Sequence, residues 1–325
     1  MSAPSPIFTK ALERQIERLA SHDCPVIVTG ETGSGKELVV REIHRRSARG
    51  KHPIFALNCA AIPAGLVESE FFGHTRGAFT GAISDMPGKI RLADKSTLFL
   101  DEIGELDDQN QAKLLRVIET KEVFAVGGNR GMRCDVRFMA ATNRDVSPES
   151  DGPLRDDLFY RLCVGYVHVP PLRGRHGQIR KLVNVFVAEQ NHCQCRQVVG
   201  FDARALELLL EYDWPGNIRE LHNVVEATFV NADGPVFRLD DIPDYHSTRM
   251  TRSAMHPRAD AAHLLEALKA SNGNKALAAR FLKCSRTTLY RRLEKLRSDG
   301  TAGVSEVASK ALSKQLGLMR GGCQP

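Results

Sequence analysis

Apolar residues recur along this chain with two different rhythms, and the change falls near Val169. Ile7, Leu12, Ile16 and Leu19 are spaced as on one face of a helix, so the chain is expected to open on a helix almost at once, with no regulatory domain ahead of it. The run Pro25–Thr29 then predicts a strand, Lys36–Arg46 a helix, Ile54–Asn58 a strand and Leu66–Phe72 a helix. Strands at Thr97–Asp101 and Val136–Ala141 continue the alternation, separated by a helix near Asp108–Thr120. That alternation predicts an α/β fold, a parallel sheet with flanking helices. Beyond Val169 the period is helical only, over Gln178–Gln190, Ala203–Tyr212 and Asn217–Val230, and predicts a separate helical lid.

From His246 to Arg258 the residues are small, polar and basic without an apolar period, as in a linker. Short helices are expected near Asp260–Ala270, Lys275–Leu282 and Arg286–Arg297. The resulting division is an α/β part over 1–170, a lid over 171–245, a linker over 246–259, a small all-α domain over 260–297 and a loosely ordered tail over 298–325. A chain of 325 residues has room for about two to three such domains.

Charge sharpens this picture. From Arg249 onward 15 Lys and Arg face 5 Asp and Glu, a balance of +10, whereas the rest carries 30 against 34, or −4. A basic terminal domain on a mildly acidic body suits a polyanionic partner, a solvated basic face being the alternative. No apolar run of about 18 residues and no signal-peptide pattern is present, so the expectation is a cytoplasmic protein without membrane contact. The 8 cysteines are scattered and expected to be free thiols; His192, Cys193 and Cys195 alone are a weak zinc signal against an ordinary helix-end loop.

The chemistry begins at Gly30, Glu31, Thr32, Gly33, Ser34, Gly35 and Lys36, between a predicted strand and a predicted helix. Glycines let backbone N–H groups turn toward an anion, the helix N-terminus faces it, and a lysine reaches the β and γ phosphates. This is a phosphate-binding loop (P-loop), with one departure: Glu37 stands where the general pattern has a magnesium-binding hydroxyl. The strand Leu98–Leu100 ends in Asp101 and Glu102, which beside such a loop can hold a metal ion and polarise the attacking water. Thr142 and Asn143 end another strand within reach of the γ phosphate, and Asn58, also at a strand end, can hold Glu102 inactive; either can instead cap a turn. Arg155 and Arg161 share one predicted helix and can stabilise charge at a neighbouring subunit's nucleotide, or pair with Asp156 or Asp157. Arg219 begins a lid helix and can reach the phosphates; Trp214 is read as a core anchor.

The string Gly77, Ala78, Phe79, Thr80, Gly81, Ala82 lies in a glycine-rich stretch, with an aromatic between small residues. With this string, residues from about 7 to 245 resemble the AAA+ ATPase domain of bacterial enhancer-binding proteins, the activators of sigma-54 RNA polymerase. In that family G-A-F-T-G-A tips a loop that contacts sigma-54. The resemblance implies ATP and Mg2+ as cofactors. It makes Lys36 the phosphate lysine, Asp101 and Glu102 the metal and water carboxylates, and Asn58 the switch partner of Glu102. It further makes Thr142 with Asn143 the first sensor, Arg155 and Arg161 the trans-acting fingers, and Arg219 the second sensor. Glu37 follows the family's own habit. Ring homo-oligomers, usually hexamers, are implied, with DNA bound as dimers.

Two departures stand out. Lys95 and Ser96 replace the family's pair of glycines before the carboxylate strand, and Gly174, His176 and Gly177 stand where acidic residues usually follow P-P-L-R. The terminal domain resembles a Fis-type helix-turn-helix, through Asn272, Gly273 and Asn274, the Ala276–Leu282 helix, and Ser285, Arg286, Thr287, Thr288, Tyr290, Arg291 and Arg292 as DNA-facing residues. The implied function is ATP-dependent remodelling of the closed sigma-54 polymerase complex from upstream enhancer DNA, under the control of expression level or a regulatory protein in trans. The alternatives are a repressor or activator working with another sigma factor, and a chaperone-like or loader ATPase; the intact G-A-F-T-G-A weighs against the former, and the lack of a substrate-threading pore signature against the latter.

Overall fold

Five short parallel strands carry the first part of the chain. The computed structural model describes residues 8–146 and 152–248 together with Met250 and Ser271. The chain divides into two units, Met1–Asp244 and Tyr245–Pro325. The three expected terminal helices, their DNA-facing residues and the tail lie outside the described residues. Residues 244–248 are helical, so helix extends into the start of the expected linker.

In chain order, α1 (Lys10–Ala20) leads to β1 (Val26–Thr29), α2 (Lys36–Arg46), β2 (Ile54–Asn58) and α3 (Val67–Phe72). Next come the strands β3 (Gly73–His74) and β4 (Met86–Pro87), the short α4 (Lys89–Leu92), β5 (Thr97–Asp101) and α5 (Asp108–Thr120). The strands β6 (Glu122–Phe124) and β7 (Gly131–Arg133), then β8 (Arg137–Thr142), α6 (Asp156–Leu162) and β9 (Gly165–His168) complete the α/β part. The lid contains α7 (His176–Gln194), β10 (Gly200–Phe201), α8 (Ala203–Glu211), α9 (Asn217–Asn231) and β11 (Val236–Phe237).

The main sheet has the order β2-β5-β8-β1-β9, every pairing parallel. Its inner strands β5, β8 and β1 read as largely apolar runs because both faces are covered. Val26, Val28, Phe99, Met139 and Ala141 pack on one face with Leu12 and Ile16 of α1 and Val39, Val40 and Ile43 of α2. Ile27, Leu98, Leu100, Phe138 and Ala140 pack on the other with Phe71, Leu114, Leu158 and Leu162. The helices that follow the neighbouring strands β1 and β8 therefore lie on opposite faces, which opens a crevice at the strands' carboxyl ends, where α/β sheets bind ligands. Register lines those ends up, Asn58 beside Asp101 and Thr29 beside Thr142.

Several elements differ from the expectation. The strand β9 was not foreseen; it lies at the sheet edge, where Tyr166 and His168 are exposed and only Gly165 and Val167 are buried, so it has no continuous apolar signal. The two-stranded pairs β3–β4 and β6–β7 are antiparallel, and each strand is too short to show a period. The lid is not purely helical, because Gly200–Phe201 pairs in parallel with Val236–Phe237. The helix expected from Leu66 begins as a 3-10 turn, Ala64–Leu66, before α3. Arg155 and Arg161 do not share the interior of one helix: Arg155 is the N-cap of α6 and Arg161 lies in its last turn. Cys193 and Cys195 are exposed free thiols at the end of α7. Trp214 is the expected anchor, fully buried, with its indole N–H donated to the Leu209 carbonyl at 2.9 Å and its ring edge-on to Tyr212.

Candidate active site

The loop after β1 enters α2 through Gly35, which has φ +99° and leaves the first turn of the helix without a side-chain cap. The first N–H groups of α2 thus face the crevice, with the favourable end of the helix dipole behind them. Gly33, at φ +74°, is required for a second reason: a Cβ there would stand 2.4 Å from the Gly216 carbonyl oxygen. Lys36 is 7% exposed, and its ammonium donates to the carbonyls of Gly30 at 3.0 Å and Glu31 at 3.4 Å. It also lies 3.6 Å from Glu102 Oε1.

Glu102 follows β5 in a left-handed conformation, φ +51°, a strained placement for a non-glycine residue that swings its carboxylate over the loop. Its Oε2 accepts the backbone N–H of Asn143 at 3.0 Å. The Asn143 side-chain amide in turn donates to Thr32 Oγ1 at 2.9 Å. The ends of β5 and β8 and the phosphate loop are therefore joined through Glu102, Asn143 and Thr32. Thr142 is buried and accepts the Arg144 N–H at 3.1 Å, so its hydroxyl shapes the turn while Asn143 faces the crevice.

Asp101 sits beside Glu102. Burial first, and then the negative charge of Glu102, push its carboxyl above the ordinary aspartate value. A divalent cation relieves that strain, and a hard oxygen-seeking ion that keeps several waters needs only one or two protein carboxylates. The donor set thus fits Mg2+ held by Asp101, phosphate oxygens and water. Glu37 lines the same cavity but is half exposed and paired with Arg41 at 2.7 Å.

A cavity of about 450 Å³ gathers these groups: Lys36, Asn58, Asp101 and Glu102 from the sheet side, and Phe186, Arg219 and His222 from the lid. A larger one, about 530 Å³, lies behind the loop, lined by Thr29, Asn143, Phe159, Tyr166 and His168. It lacks Lys36, Asp101 and Glu102, so the chemistry converges on the smaller cavity. Asn58 is present there, but its Oδ1 accepts the Ala60 N–H at 3.0 Å and caps a 3-10 turn, so the Asn58–Glu102 hydrogen bond expected from the sequence is not made in this conformation. Arg155 and Arg161 are outside the cavity and exposed. Arg155 pairs with Asp157 at 2.8 Å, as one reading of the sequence allowed, and Arg161 pairs with Glu119 at 3.0 Å.

The Gly77–Ala82 stretch forms the tip between β3 and β4. Gly77 N–H donates to the Ala82 carbonyl at 2.9 Å, closing the loop, and Asp85 accepts the Arg76 N–H at 2.7 Å. Thr75 and Val126 tie it to the β6–β7 connection through a 3.0 Å backbone bond. Phe79 is 39% exposed and rests edge-on against His74, with ring centres 5.0 Å apart, while Thr80 and Ile83 face solvent.

Sequence reading missed the contacts that hold the phosphate loop from the lid side. Arg173 makes two hydrogen bonds to the Glu31 carboxylate, one of them at 2.8 Å, and holds that carboxyl down at about 2. Asn217, Ile218 and Arg175 bond to the loop backbone. The available signals were the P-P-L-R and W-P-G-N strings, whose polar residues have no local partner to explain them.

A phosphate loop followed by a strand-end carboxylate pair, inside a five-stranded parallel sheet with a helical lid, defines a P-loop nucleoside triphosphatase domain. Residues 4–168 match the family model of the Sigma-54 interaction domain, residues 173–259 that of the AAA+ ATPase lid domain, and residues 257–296 that of the bacterial regulatory protein, Fis family. The chain belongs to the sigma-54-interacting AAA+ transcriptional regulators. It is 42% identical over 302 residues to the transcriptional regulatory protein ZraR of Klebsiella oxytoca, covering 88% of this chain and 67% of that protein. It is also 42% identical over 299 residues to the formate hydrogenlyase transcriptional activator of Salmonella typhimurium, covering 89% of this chain but 43% of the relative. The chain thus spans between about two fifths and two thirds of these relatives' lengths. The crystal structure of NtrX from Brucella abortus in complex with ATP superposes with a TM-score of 0.65 at 31% identity, covering 91% of this chain and 68% of that one. Its ADP complex gives 0.67 at 29%, covering 91% and 69%. No helix among the described residues is long and apolar enough to cross a membrane.

Proposed function

We propose that this chain is an ATP-dependent transcriptional activator that binds upstream enhancer DNA and uses hydrolysis to convert closed sigma-54 polymerase complexes into open ones. The observation that carries the reading is the chain of polar contacts from Lys36 to Glu102, Asn143 and Thr32 at the strand ends, in a chain that also presents Phe79 and Thr80 to solvent. Lys36 and the N–H groups of the loop bind the β and γ phosphates, the residues Gly30 to Glu37 wrap the triphosphate, and Arg219 closes from the lid. Asp101 would hold Mg2+, which would supply charge neutralisation at the phosphates. Glu102 orients and deprotonates water, Asn143 reports the γ phosphate, and Asn58 exchanges its Ala60 bond for Glu102 when the site is switched off. Arg155 and Arg161 leave their acidic partners and act on the neighbouring subunit's nucleotide in a hexameric ring.

The division into α/β part, lid, linker, helix-turn-helix and tail belongs to the same proposal. Ser285, Arg286, Thr287, Thr288, Tyr290, Arg291 and Arg292 contact enhancer DNA as dimers, and the protein works in the cytoplasm under a regulatory protein in trans or its own expression level. Support comes from the family match and from the ATP-bound and ADP-bound NtrX structures. In a purified sigma-54 transcription system, ATP should support open-complex formation. Glu102→Gln should bind ATP yet lower turnover by about 10²–10⁴, the usual contribution of a general base, and form no open complex. Open complexes formed equally well by that variant, or without ATP, overturn the reading.

A further inference from the structure

The phosphate loop is bonded on both sides. Its inner side meets Lys36, Asn143 and Glu102, but on its outer side the Glu31 carboxylate and the carbonyls of Thr32, Gly33 and Ser34 accept bonds from residues that lie more than a hundred positions later in the chain. Asn217 is the centre of this second set. It is fully buried, has φ +54°, and its side chain bridges three segments. Its amide N–H groups donate to the Thr32 carbonyl at 3.0 Å and to Glu31 Oε2 at 3.2 Å, while its Oδ1 accepts the Leu172 N–H at 2.8 Å. The next residue, Ile218, donates its backbone N–H to the Gly33 carbonyl at 2.9 Å. Arg175, from the segment that enters α7, donates to the Ser34 carbonyl at 2.8 Å. Arg173 closes the set on the Glu31 carboxylate.

Resting on the nucleotide reading above, we propose that Asn217 and the Arg173–Glu31 pair are positioning residues that set the shape of the phosphate loop from the lid, so that lid orientation and nucleotide affinity are a single equilibrium. The phosphate-cradling N–H groups face the nucleotide only while the carbonyls of the same peptide units face outward. Those outward carbonyls, at Thr32, Gly33 and Ser34, are the acceptors that the lid satisfies. A lid that swings away withdraws those donors and leaves the loop free to relax, and a nucleotide that orders the loop presents the carbonyls and draws the lid in. Arg219 follows Asn217 by two residues on the same helix, so the clasp also decides whether that guanidinium faces the cavity. The Glu31 side chain thereby acts outward on Arg173 rather than on the ligand.

The left-handed backbone at Asn217 makes Asn217→Gly the informative substitution, because glycine keeps φ +54° without strain and removes only the amide. With the full chain and ATP as the titrant, Asn217→Gly should raise Kd and KM by about tenfold. Glu31→Gln and Arg173→Gln should each weaken ATP binding, with the double variant no weaker than either single one, as expected for two groups that act through one contact. The swapped pair Glu31→Arg with Arg173→Glu should recover binding relative to each single reversal. Thermal melts taken in parallel separate loss of fold from loss of affinity. Wild-type ATP affinity in Asn217→Gly, or strictly additive losses in the Gln pair, overturns the proposal. Failure of the unaltered chain to bind ATP instead removes the nucleotide reading, which Lys36→Ala tests independently.

Discussion

Two glycine-rich loops in this molecule use the same residue for opposite ends. In the phosphate loop the glycine at position 33 is hemmed in, with a Gly216 carbonyl 2.4 Å from where a Cβ would be. In the β3–β4 tip the glycine at position 77, at φ +81°, has nothing within 4 Å of that point. One loop is built to be held from every side, by Lys36, Asn143, Asn217 and Arg173, so that its N–H groups keep a single geometry. The other is closed by its own short bonds, leaning on His74 through Phe79 and leaving Thr80 and Ile83 to solvent. Preorganisation suits a charged ligand whose transition state must be met without rearrangement. An open tip with exposed side chains suits a macromolecular partner that supplies the missing contacts.

That contrast predicts where damage stays local. The largest effect is expected on the held side from the exposed arginines: Arg155→Ala or Arg161→Ala should lower turnover by about 10³ or more, the usual worth of an arginine finger, while ATP binding and the melting temperature are kept. Undiminished turnover in either variant removes that arginine from the finger role and leaves it as the partner of Asp157 or Glu119.

A smaller effect separates the two glycines. Gly33→Ala meets backbone at 2.4 Å as well as an unfavourable φ, so ATP affinity should fall by about 10- to 100-fold. Gly77→Ala carries only the left-handed strain, about 1–2 kcal/mol, and should leave ATP hydrolysis unchanged. Nucleotide titrations and ATPase rates on the pair check this, and equal losses in both would erase the distinction.

The smallest effect concerns acid. The Glu31 carboxyl is held at about 2 against an ordinary 4.5, chiefly by its hydrogen bonds from Arg173. Its folded value is depressed, so its contribution is fully present above pH 4.5 and is lost only as pH falls toward 2. In wild type, stability measured from pH 7 downward should therefore contain an acid-sensitive component that Arg173→Gln reduces. A pH profile identical in the two proteins would mean that the pair is not formed in solution.

Legibility in the sequence followed the same contrast. The three inner strands could be read because burial on both faces leaves continuous runs such as V-I-V-T and T-L-F-L-D. Lys36, Asp101 and Glu102 could be expected near one another because strand ends in a parallel sheet lie side by side, and in the structure these three line one cavity, with Asn58 in register beside Asp101. What could not be read depends on partners far away in sequence. The strand β9 exists because β1 offers it an edge, and Asn217 and Arg173 matter because the lid folds back on Glu31. Asn58 shows a third limit: a short amide side chain can cap its own turn or reach across to a carboxylate, and here the turn wins.

If turnover in the held loop does its work through the open one, Thr80 separates the two. Thr80→Ala leaves every residue of the nucleotide cavity in place, so the purified variant should hydrolyse ATP at the wild-type rate and yet form no open complex with sigma-54 polymerase on an enhancer-bearing promoter. Full open-complex formation by Thr80→Ala would contradict the claim that the Gly77–Ala82 tip couples hydrolysis to the polymerase.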